Sequence, residues 1–128
     1  MLDAVSRLVD AFGRGRLDDY FAAFHPECTF VFHTTDRRLL SVADYRALWE
    51  EWVREDGLEV LDCRTSDTLV QLLGDVAVVT HTVETRVRAR DQESTLNERE
   101  TIVLARQDDG RWLGVHEHLS PLQSGAMP

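Results

Sequence analysis

The chain contains no lysine; all 14 of its basic residues are arginine. That absence excludes a Walker-type phosphate lysine, a Schiff-base lysine and a pyridoxal anchor, which all need an ammonium group. Only two cysteines occur, Cys28 and Cys63. They are too few for a disulfide scaffold and lack zinc-type spacing, so they read as reduced core thiols. Long hydrophobic runs are also missing. Nothing approaches the roughly 20 apolar residues of a membrane helix, and Asp3 stands where a secretory leader would be basic. Cations are outnumbered by 23 acidic residues, and the net charge of −9 disfavours a phosphate backbone as partner. The expectation is a cytoplasmic protein with no nucleic-acid or membrane partner and no cofactor.

What remains, 43% apolar residues in a chain of 128, is enough to fill one core. A single domain is expected over residues 1–122, with 123–128 as a loose tail. The first half reads helical. Leu2, Val5, Leu8, Val9 and Phe12 recur at helical spacing, and Gly13 follows as a stop that tolerates positive φ. A second helix is expected from Leu17 to His25, ended by Pro26. Cys28 to His33 reads as a strand and Thr34 to Asp36 as a turn. Ser41 suits an N-cap for a helix that carries Tyr45, Leu48, Trp49 and Trp52 as far as Gly57.

The second half reads as strands: Leu58 to Leu73 as one long strand or a bent pair, then Val79 to Ala89, Leu96 to Arg106 and Trp112 to Ser120. Alternation is clearest in the second of these, with Val79, His81, Val83, Thr85, Val87 and Ala89 on one face. Asp108-Asp109-Gly110 turns the last hairpin. Helices followed by a meander of antiparallel strands is an α+β pattern, three helices against the concave face of a curved, cone-shaped sheet. Such a cone holds a pocket.

The order of elements and several strings resemble the nuclear transport factor 2-like superfamily, with its cystatin-like roll, and in particular its SnoaL-like members. Gly15-Arg-Leu-Asp-Asp-Tyr20, Thr35-Asp36, Glu100-Thr101-Ile102-Val103 and, most specifically, the Gly110-Arg111-Trp112…His116-Glu117-His118-Leu119-Ser120 hairpin resemble the association domain of calcium/calmodulin-dependent kinase. The resemblance implies a pocket between helices and sheet and a homodimer through the outer sheet face. It fixes no activity, because the superfamily includes isomerases, dehydratases, cyclases and non-catalytic modules.

By analogy with these relatives, Leu113, Val115, Glu117 and Leu119 would face inward on the last strand, and Leu96, Glu98, Glu100, Ile102 and Leu104 on the strand before it. The His81 face is chosen for the earlier strand because the alternative would bury Thr80, Thr82, Glu84, Arg86 and Arg88 together. Glu117, His81 and Glu100 are then candidate catalytic groups. Glu98, Phe30, Phe32, Trp49, Trp52 and Tyr20 are candidate contacts to a small-molecule ligand. Blander readings stand beside these: Glu98 and Glu100 as solvated rim residues, His81 as a core histidine, and the two tryptophans as packing. His116 and His118 share a face that points outward with Trp112, so hydrogen bonding is preferred to a metal role and no metal site is assigned. His33 is assigned nothing.

The position matching the isomerase general base falls at Phe32 and that of its second acid at Ile102, which argues against ketosteroid-type isomerisation. The hub's arginines match Ile102, Leu119 and a residue near His81, so its anion-binding pocket is also missing. Two functions remain: a cofactor-free lyase, isomerase or cyclase acting on a small, mainly apolar metabolite by acid/base chemistry, or a non-catalytic ligand-binding or dimeric assembly module.

Overall fold

The computed structural model describes residues 1–122; the tail expected over 123–128 lies outside them. Among the described residues are three helices, α1 (Leu2–Gly13), α2 (Leu17–Ala22) and α3 (Val42–Asp56). Five strands accompany them: β1 (Phe24–Phe32), β2 (Glu59–Leu73), β3 (Val76–Ala89), β4 (Gln92–Arg106) and β5 (Trp112–Pro121). The strands form one curved, unclosed sheet in the order β1-β5-β4-β3-β2 with the helices against one face, the α+β architecture expected. None of the described helices is long and apolar enough to cross a membrane.

One strand departs from the antiparallel expectation. β1 runs parallel to β5, with Phe30 opposite Glu117. The two are far apart in sequence, so no hairpin dictates their direction. β1 also begins earlier than expected, at Phe24, and shortens α2, which ends at Ala22. Pro26 lies within the strand instead of stopping a helix. The sheet tolerates it because β1 is an edge strand and its register breaks between Phe24 and Thr29, where no ladder bond needs the missing N–H.

Local chemistry accounts for the remaining boundaries. Ser41 Oγ accepts a hydrogen bond from the Asp44 amide at 3.1 Å, and Gly57 closes α3 in the left-handed region at φ 63°. Gly13 has a different role from the one expected: Gly15, at φ 70°, takes the left-handed turn. A side chain on Gly13 would come within 3.2 Å of Cys63 Cβ, so its smallness lets α1 lie close on β2. β4 begins earlier than expected, at Gln92, because Arg90 and Asp91 turn the hairpin with φ of 52° and 62°; β3 gains Val76 to Val78 at its other end, directly after the Gly74-Asp75 turn. That pair of left-handed residues matches the twist of a two-residue hairpin without the usual glycine. β2 is one strand, kinked where its register breaks between Ser66 and Leu69 and Asp67 takes φ 56°.

The core lies between the helices and the inner face. Val5, Leu8 and Ala11 of α1 are buried there with Tyr20, Phe21, Phe24, Phe30, Leu39 and Tyr45. Each large apolar side chain taken from water contributes about 1.5–3 kcal/mol. Tyr45 is the centre of an aromatic cluster, with ring centroids 4.6 Å from Phe30, 5.0 Å from Phe32 and 5.2 Å from Phe21.

Strict alternation fails in β5. The ladder pairs Val103 with His116 but Leu104 with Gly114, so Val115 is an extra residue that inverts the facing of everything before it. Leu113, expected inward, is therefore out of phase with Glu117, and Val115, expected inward with it, is the unpaired residue of the bulge. Gly114 points into the core instead, where a Cβ would fall 2.6 Å from the Phe24 ring. Trp112, expected outside, packs against the core for the same reason.

Candidate functional site

A cavity of about 140 Å³ lies between the helices and the inner face. Its walls include Phe12 of α1, Trp49 and Trp52 of α3, and Phe32 at the end of β1. An apolar cavity of this size takes a guest on the scale of one aromatic ring. At its polar end stand Tyr20, Tyr45 and three carboxyls, Glu98 and Glu100 from β4 and Glu117 from β5.

The ladder explains the convergence. Glu117 lies in register between Ile102 and Phe30, two side chains with no exposed surface, so its carboxyl enters an apolar row. Glu100 is two residues before Ile102 on β4 and is thus the diagonal neighbour of Glu117, within reach of a long side chain. On its other flank Glu100 pairs with His81, whose Nε2 donates to Glu100 Oε1 at 2.6 Å. The imidazole is almost wholly buried.

Electrostatics act strongly on Glu117. Burial pushes the Glu117 carboxyl well above the usual range, and the charge of Glu100, a hydrogen bond shared with Glu100 and the charge of Glu98 add to the shift. Glu117 therefore keeps its proton and offers it to Glu100, while Glu117 Oε2 is buried with no hydrogen-bond partner among the described residues. Tyr20 and Tyr45 hydroxyls are hydrogen-bonded to each other at 3.0 Å and are held protonated, mainly by burial and then by the nearby Glu117. Cys63, also at the cavity, is pushed up to about 11 by burial and stays a thiol.

Seven of the nine candidate residues line the cavity: Glu117, Glu100, Glu98, Phe32, Trp49, Trp52 and Tyr20. His81 stands behind Glu100 and does not form part of the wall. Phe30 is a correction, because it is sealed beneath Glu117 against Phe24, Phe32 and Tyr45 and touches no open space. Glu98 is not a solvated rim residue: it is 8% exposed and accepts from His33 Nε2 at 2.5 Å.

Sequence reasoning missed His33 and Tyr45 as parts of the site. Nothing near His33 in the chain hints at Glu98, 65 residues away. Tyr45 carried a signal, a phenol on the apolar stripe of α3, where a buried hydroxyl needs a partner. On the outer face, His116 Nδ1 and Thr29 Oγ1 are hydrogen-bonded at 2.8 Å. Burial and the neighbouring His118 lower the basicity of His116. No group of three metal-ligating side chains occurs among the described residues.

Comparison with known proteins gives the frame. A protein described as NTF2-like, of unknown function in nutrient uptake, from Rhodospirillum rubrum superposes with a TM-score of 0.81 at 22% identity, over 95% of this chain and 98% of the other. The calcium/calmodulin-dependent kinase II hub of S. rosetta matches at 0.75 and 22%, covering 94% and 93%. A ketosteroid isomerase-like protein from Erwinia carotovora atroseptica matches at 0.77 and 14%, covering 94% and 92%. At these identities the likeness is one of fold. No curated protein matches the sequence. Residues 1–124 match the SnoaL-like domain family, and the chain accordingly belongs to that family.

Proposed function

We propose that this chain is a pocket enzyme that moves protons on a small, mainly apolar metabolite, as a cofactor-free lyase, isomerase or cyclase. One observation carries the reading: two neighbouring carboxyls line an apolar cavity, Glu100 held by His81 and Glu117 buried and pushed above the usual carboxyl range. Glu100, fixed by His81, is the proton acceptor. Glu117, kept neutral by burial, is the donor to a heteroatom on which negative charge develops. Paired titratable groups with divergent environments are the usual signature of an acid/base couple. The tyrosine pair adds to this arrangement: two hydroxyls spend one proton on their mutual bond, and the second can meet the same heteroatom.

The test needs no known substrate. Deuterium uptake from D2O at the carbons beside the carbonyl of cyclohexanone or acetophenone reports proton removal directly, read by mass spectrometry. The expectation is catalysed uptake by the wild type and a loss of roughly 100-fold or more in Glu100→Gln. Uptake that is unchanged in that variant defeats the assignment of the base. Ketone bound without uptake favours the non-catalytic reading.

An assembly role is supported by a separate observation. On the outer face, opposite the cavity, Leu69 and Leu73 of β2 are 61% and 65% exposed beside Val76 of β3. A second copy of the chain would cover this apolar strip, giving a homodimer that leaves both cavities free.

A further inference from the structure

The cavity wall carries charge of one sign. Its formally charged side chains are Glu98, Glu100 and Glu117, and none of the chain's 14 arginines lines it. A carboxylate or phosphate ligand would face three acids and no cation. Aromatic rings stand around the acids, among them Phe12, Tyr20, Tyr45, Trp49 and Trp52. Carboxyls and aromatic rings together are the chemistry that recognises an organic ammonium, through charged hydrogen bonds and attraction to the ring quadrupoles. Glu117 Oε2 supplies an independent sign: it is buried, it belongs to a residue 2% exposed, and no donor among the described residues reaches it. A buried acceptor in that state calls for a donor from outside the chain.

We infer that the ligand of this cavity is a small organic cation, a protonated amine or imine on a body about the size of one ring. The inference rests on the proton-transfer reading and refines it: the substrate's heteroatom is a nitrogen that brings its own proton instead of taking that of Glu117. On binding, the N–H donors take the place of the proton shared by Glu117 and Glu100, which leaves to solvent. One positive charge replaces another, so the cavity gains no net charge. The titratable groups within electrostatic reach of Glu117 are Glu98 and Glu100 of β4, Tyr20 of α2, Tyr45 of α3, Cys28 of β1 and Cys63 of β2. The last four hold their protons, and His81 acts through Glu100.

Three probes of matched shape test this by titration calorimetry near neutral pH: benzylamine, benzyl alcohol and benzoate. Benzylamine is expected to bind roughly tenfold or more tightly than benzyl alcohol, and benzoate not to bind. Repeating the benzylamine titration in buffers of different ionisation heat should show release of about one proton, and none for benzyl alcohol. In Glu117→Gln the preference should fall to about parity while benzyl alcohol affinity is kept. Equal binding of the amine and the alcohol, or any preference for benzoate, overturns the cation assignment and leaves the acid/base reading standing. Amine selectivity that survives Glu117→Gln without proton release overturns it also. Selective amine binding without ketone deuteration sustains the cation and defeats the proton-transfer reading. Failure of all three probes to bind overturns the cation assignment, while the acid/base reading stands or falls by ketone deuteration.

Discussion

A carboxyl placed between Ile102 and Phe30 can avoid an unpaired buried charge by staying protonated, and Glu117 does so. Its proton uptake makes stability depend on pH. In the folded chain its titration lies above the ordinary carboxyl range. Between the unfolded and folded values the native state therefore holds the extra proton, and stability falls as pH rises through that window. Glu117→Gln removes this loss and can donate an amide N–H to Glu100. The variant is expected to melt about 4 °C higher at neutral pH, the shift made by roughly 1 kcal/mol in a domain of this size. Melting curves taken down toward pH 4 should show the advantage shrinking, and a constant gap would contradict the neutral carboxyl. His81 is the converse case. His81→Leu strands Glu100 beside an apolar group and should cost about 3 kcal/mol in urea unfolding, with His81→Gln, which keeps a donor, losing less. The inward aim of Glu117 and Glu100 was readable by analogy with the relatives, and that of His81 from the alternation of its own strand, whose other face is too polar to bury. The Glu98–His33 contact was not, since His33 reaches it from the turn after β1 through packing that no local pattern encodes.

At the scale of elements, the bulge at Val115 decides how β5 is used. Beyond it toward the C-terminus, Glu117 and Leu119 keep the expected facing; before it, Gly114 and Trp112 turn inward. Two-residue periodicity cannot reveal an inserted residue, so half of β5 was legible and half was inverted. Gly114→Ala tests the close contact with Phe24. Overpacking should cost about 1–3 kcal/mol, measured by urea unfolding, and Phe24→Leu in the same chain should recover much of it if the ring is the obstacle. Ser41 shows the opposite kind of legibility. Its cap was visible because the chemistry is local, and Ser41→Ala should lose about 1 kcal/mol. Pro26 misled for a reason of topology: a proline ends a helix, but it is equally at home in an irregular edge strand, and only the sheet order tells which applies.

For the whole molecule, the order of elements together with the final hairpin, the most specific of the strings, made the fold recognisable. The dimer belongs to this scale too. If the outer strip seats a second copy, wild-type chain should sediment as a dimer at micromolar concentration. The pair Leu69→Glu and Leu73→Glu should yield a monomer that still binds benzyl alcohol or benzylamine. A wild-type monomer at high concentration would remove that assembly.

The kink at Asp67 has a consequence for how the chain behaves in a crowded solution. β2 ends one side of an open sheet, and among the described residues no strand neighbours its outer row of amides and carbonyls. A straight fifteen-residue ribbon ending in exposed leucines would be a template on which unfolded or foreign chains could polymerise. The left-handed Asp67 breaks that ribbon in two, and the Asp62–Arg64 ion pair sets charges along one half. Replacing Asp67 with valine, which cannot hold φ 56° without strain, is expected to straighten the strand and raise thioflavin-positive fibre growth on prolonged incubation. Solubility in this protein would then be guarded by a backbone irregularity more than by its acidic surface.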